Sequence, residues 1–208
     1  MSSETDVLPQ SPATNLPAVQ LGPRFYVLYV LFALLIFPVH EFGHYCAYRL
    51  LGVRVQMTLN TASPRDQSLR RPLAEFAGPL VNLFVAFGTL ALFRATGRRR
   101  QWLAAVAMAG AMMRLVVYVL VLAAASVTGS GLTLGNDEPV AAHLWGLPSL
   151  TLVALLAVPF VAVVWDVFRS VRASAMGKTL QIGGLVFITF GAGMLVGNVL
   201  DPWLFPGR

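Results

Sequence analysis

Charged residues are scarce in this chain of 208 residues, 12% of the total against 57% hydrophobic. That excludes an ordinary soluble domain, whose water-facing surface carries charge at about 25% of its residues. Cysteine is rarer still: Cys46 stands alone, which excludes an intrachain disulfide framework and a cysteine-rich zinc site. Internal repeats are missing, and no polar stretch is long enough to form an appended soluble domain. No basic run is interleaved with aromatic residues, so the net charge of +6 does not mark a nucleic-acid surface. The arginines fall in short loops instead, where anionic lipid headgroups would lie.

What the chain has is apolar length. A mean hydropathy of +0.71 belongs to a polytopic protein embedded in the lipid bilayer. Apolar spans are expected at residues 25–51, 73–94, 102–126, 149–168 and 180–200, each able to cross a hydrocarbon core of about 30 Å as a helix. The expected fold is therefore an all-α, multi-pass integral membrane protein with about five transmembrane helices. Residues 1–24, polar and rich in Ser, Thr and Pro, read as a disordered tail. They are not a signal peptide, since the apolar run that follows is too long and lacks a small-residue cleavage site. After Gly52 the period changes to two: Val53, Val55, Met57 and Leu59 alternate with polar residues until Ser63-Pro64-Arg65-Asp66. This alternation predicts a short β segment.

Two of only three histidines fall in His40-Glu41-Phe42-Gly43-His44, inside the first apolar span. Residues i and i+4 of a helix lie one above the other, so His40 and His44 can offer nitrogens to one metal ion. The spacing points to zinc, with Glu41 beside it as a base. A histidine in an apolar helix is ordinarily a packed core residue with a satisfied hydrogen bond. A pair at ligand spacing around a glutamate, in a place where unpaired charge costs several kcal/mol by rough estimate, argues otherwise. Cys46, close by, reads as a small apolar filler.

The second helix is expected to open with Glu75-Phe76-Ala77-Gly78-Pro79-Leu80-Val81-Asn82, its proline in a first turn. Gly78 permits close approach of a neighbouring helix. Asn82 needs a partner at membrane depth, either across helices or in a substrate. Arg114, near the middle of the third span, is expected to face the bundle interior in an ion pair. If five helices alternate, the end of the first, the start of the second and the loop after the third share one membrane face. His40, His44, Glu75, Gly78, Asn82, Asp137, Glu138 and His143 would then converge, and Asp166 would lie at the other face near Arg169. A turn at Gly135-Asn136-Asp137-Glu138-Pro139 would aim Asp137 inward as third ligand, with Glu138 and Glu75 as alternatives.

These motifs resemble the site-2 protease family of intramembrane zinc metalloproteases: the His40 to His44 pentapeptide, the strand segment after it, and Ala77-Gly78-Pro79-Leu80-Val81-Asn82. The resemblance implies a metalloprotease-like core over residues 25–147, with residues 148–208 adding two transmembrane helices. It implies hydrolysis of a peptide bond in or near a transmembrane segment, with zinc on His40, His44 and an aspartate, Glu41 as catalytic base, and Gly78 and Asn82 near the substrate. The implied partner is a membrane protein with an extended or unwound segment. The family's third-helix Leu-Asp-Gly pattern is absent here, and Asn136-Asp137-Glu138 is the nearest acidic cluster. The resemblance also implies a site facing the cytoplasm, whereas the positive-inside rule favours the reverse. Two readings outside proteolysis stand beside it. A catalytically silent metal- or substrate-binding protein would have no need of Glu41 between the ligands. A transporter would be expected to show paired broken helices or a duplicated half, and neither is visible.

Overall fold

The computed structural model describes residues 21–129 and 136–206. The expected tail, residues 1–24, lies almost wholly outside the described residues. The first helix, α1, begins at Pro23 and runs to Leu50; proline suits its first position because that N–H has no helical acceptor. The chain continues through β1 (Gln56–Met57), β2 (Ala62–Ser63), α2 (Pro72–Ala95), α3 (Gln101–Thr128), α4 (Asp137–Leu144), α5 (Thr151–Arg169) and α6 (Ala175–Leu195). A π-helical turn at Val196–Leu200 then leads into α7 (Asp201–Leu204). Among the described residues, five helices are long and apolar enough to cross a membrane, the last counted as Ala175–Leu204. The architecture is all-α and polytopic, as the apolar spans predict.

The core follows from which helices are wrapped by others. Helix α3 has 61% of its apolar window buried, against 22% for α6, so α3 is the axis and α6 the periphery. Ala104, Ala105, Ala107, Ala109, Gly110 and Ala111 line α3 and let α1, α2 and α5 approach closely. Large apolar side chains such as Phe84, Leu155 and Phe187 point outward, as a lipid-facing surface requires. A buried Tyr29–Thr189 hydroxyl contact of 2.5 Å ties α1 to α6. At the end of the bundle where α2 stops and α3 starts, Arg94, Arg98 and Arg169 gather on Asp166. Asp166 thus sits with Arg169, as expected.

Two local expectations need correction. The alternation over residues 53–60 does not make one strand: only Gln56↔Ser63 and Met57↔Ala62 pair, in an antiparallel hairpin. Thr58 and Thr61 close the turn between them, and the second strand occupies the stretch expected to end the first. Pro79 is not in a first turn either. Helix α2 starts at Pro72, so Pro79 lies two turns in, where its missing N–H leaves the Glu75 carbonyl without its helical donor.

Candidate metal centre

Two glycines bring α1 and α2 together at the histidines. A Cβ on Gly43 would lie 2.8 Å from Val81 Cγ2 and 3.1 Å from the Ala77 carbonyl oxygen. A Cβ on Gly78 would lie 2.7 Å from His40 Nε2 and would strike His44 as well. Gly78 is therefore the floor beneath both imidazoles. His40 and His44 are buried, 2% and 3% exposed. The His44 Nδ1–H donates to the Ala74 carbonyl at 2.7 Å, which fixes its tautomer and turns Nε2 inward.

The third member comes from α4. Asp137 Oδ2 is 2.9 Å from His40 Nε2 and 3.5 Å from His44 Nε2, and the two Nε2 atoms are 3.1 Å apart. Three ligand atoms around a tetrahedral ion at about 2.0–2.1 Å stand roughly 3.3 Å from one another, and this triangle fits that geometry. Among the described residues, His40, His44 and Asp137 form the group of His, Cys, Asp or Glu side chains that could hold a metal ion. Asp137 is held well below the ordinary carboxylate range: burial opposes its ionisation, but His44 and the hydrogen bond from His40 outweigh it.

Asp137 does not sit in a turn. It is the first residue of α4, after an extended Asn136, and Pro139 falls in the first turn where no N–H is missed. Neighbours on a helix point about 100° apart, so Asp137 meets the histidines and Glu138 meets Tyr118, with Arg114 shared between them. Glu138, fully buried, forms an ion pair with Arg114 Nη2 and accepts from the Tyr118 hydroxyl at 2.7 Å. Arg114 reaches Asp137 Oδ2 at 3.3 Å with its other amine. Glu75, also buried, accepts from the Tyr48 hydroxyl and lies 3.5 Å from Arg70 Nε. Both alternative ligands are thus engaged elsewhere.

A cleft of about 330 Å³ opens over the triad. It is lined by Glu41 on α1, by Glu75, Arg70 and Arg114, and by residues 60–63 of the hairpin. The carboxylate of Glu41 faces the backbone at Ala62. The remaining candidates lie away from this cleft. Asn82 is completely buried and donates to Met113 Sδ at 3.0 Å, linking α2 to α3 rather than facing the opening. His143 is exposed on α4 and does not join the other two histidines, a correction to the convergence that alternating helices suggest. It lies six positions after Asp137, which turns it to another side of the helix.

Sequence reasoning missed the polar supports Tyr48, Tyr118 and Arg70. The first two carried a signal: Tyr48 follows His44, and Tyr118 follows Arg114, at i+4 on one helix face. No protein-family model, curated protein or solved structure matches this chain.

Proposed function

We propose that the chain is a zinc metalloprotease that hydrolyses a peptide bond in an extended or unwound segment of a membrane protein. The observation that carries this reading is a single cleft walled by Glu41, by a triangle of ligand atoms and by the edge of a two-stranded sheet. Two imidazole nitrogens, one carboxylate and an open fourth position make a donor set suited to catalytic zinc. Zinc, when bound there, supplies a Lewis acid for the scissile carbonyl and makes the attacking water more acidic.

The chain's own residues do the rest. Glu41 accepts the proton as water oxygen bonds to the carbonyl carbon, and returns it to the amine as the C–N bond breaks. Ala74 holds the His44 ring, and Arg114 holds Asp137 through its Oδ2. Helical backbone has its N–H and C=O groups tied up, so a substrate must be extended to present its carbonyl. The outer edge of β2 lines the cleft at residues 62–63, and an extended segment that adds there would take the Ala62 backbone from the Glu41 carboxylate.

The test combines metal analysis with cleavage of single-span peptides that carry a helix-breaking segment. Wild-type protein is expected to hold about one zinc per chain and to cleave. Glu41→Gln should keep the zinc and lose about 100-fold or more in rate. Undiminished cleavage by that variant, or unchanged zinc after His44→Ala, overturns the proposal. Retained zinc without cleavage by the wild type would favour a silent binder of the same fold.

A further inference from the structure

At the end of the bundle away from the metal centre lies a crevice of about 820 Å³ between the first turns of α1 and the start of α3. Its rim carries Arg24, Arg99 and Arg100, and its deeper wall carries Leu28 and Phe32. Trp102, 43% exposed, stands beside it. Three other arginines of this end, Arg94, Arg98 and Arg169, share Asp166. Among the described residues no carboxylate pairs with Arg24, Arg99 or Arg100.

We propose that this crevice binds one anionic glycerophospholipid, its phosphate among the three guanidinium groups and an acyl chain along Leu28 and Phe32. The layout has a lipid's own polarity. Arg24, Leu28 and Phe32 recur every four residues on one face of α1, so the apolar pair lies about 6 and 12 Å deeper than the charge. Guanidinium forks suit phosphate oxygens, and two helices present their N-terminal ends here, where the backbone dipole favours an anion. An indole at this level is at home in the interfacial belt. Dispersed surface attraction would not need a crevice, and a soluble phosphate would not need its apolar wall.

Native mass spectrometry of the full chain in detergent, titrated with phosphatidylglycerol and with phosphatidylcholine of the same acyl chains, tests this. One phosphatidylglycerol should bind in preference to phosphatidylcholine. The double variant Arg99→Gln/Arg100→Gln should weaken it about tenfold or more, from roughly a factor of five per arginine. A control that removes the same charge from the same end, Arg172→Gln/Lys178→Gln, should change it less than about twofold. Thermal melting without lipid should be unchanged in both, which separates loss of the site from loss of the fold. Equal weakening in the two double variants would reduce the binding to general surface attraction and overturn the proposal. Equal affinity for phosphatidylcholine would overturn it as well, as would displacement by glycerol phosphate at concentrations comparable to the lipid.

Discussion

Arg114 grips two adjacent carboxylates with one guanidinium, and only one of them is free to hold a metal ion. Its charge stands 3.5 Å from His40 Nε2, so left alone it would compete with a cation for Asp137. Glu138 neutralises it, and Tyr118 keeps Glu138 in place. Glu138→Gln should therefore weaken zinc binding about tenfold, because Arg114 then turns to Asp137. The double variant Arg114→Met/Glu138→Gln should recover most of that loss, since competitor and neutraliser leave together. Chelator competition measures both. If the double variant stays as weak as the single one, Glu138 acts on the metal directly and the arrangement described here is wrong. At this scale the sequence was legible for His40 and His44, because i+4 spacing is local. For Arg114 the buried ion pair was legible from a charge in mid-span, but its partners were not, because they lie 23 and 24 residues away on a helix too short to announce itself.

Among elements, the long helices could be read from apolar length, while the short ones could not. Helix α4 spans eight residues, too few for a periodicity, and its Asn, Asp and Pro read equally well as a turn. The hairpin pairs at two positions, and alternation over eight residues overstated it. Its stability comes from outside: the Leu59 N–H donates to Asp201 Oδ1 at 2.6 Å, and Asn60 rests on Gly197 in the π-helical turn after α6. Asn60 also lines the cleft, so the least-buried helix holds one wall of the candidate active site. Asp201→Ala should free that wall, with amide exchange at residues 59–62 rising about fivefold or more, the equivalent of about 1 kcal/mol. Asp201→Asn keeps an acceptor oxygen and should stay near wild type. Equal exchange in Asp201→Ala and wild type would mean that α7 does not support the hairpin.

For the whole molecule, the parity of five helices placed the end of α1, the start of α2 and the start of α4 at one end of the bundle, which is how His40, Glu75 and Asp137 could be brought together on paper. Parity gives the end of the bundle but not the side of a helix, and so it gathered His143 and Asn82 with the rest. The same assembly would make a bound metal ion a staple. His40 and His44 belong to α1 and Asp137 to α4, 97 residues from His40, with α2 clasped between them through Gly78 and Ala74. A ligand that binds the folded chain at about 100 times its Kd stabilises it by about 2.7 kcal/mol. For a chain of this size that moves the melting midpoint by at least about 5 °C. Chelation should lower the wild-type midpoint by that amount and added zinc should restore it. Asp137→Ala should melt lower to begin with and respond little to either. A chelator-insensitive midpoint in zinc-loaded wild-type protein would show that α4 is held by packing and by the Arg114–Glu138 pair to α3 alone.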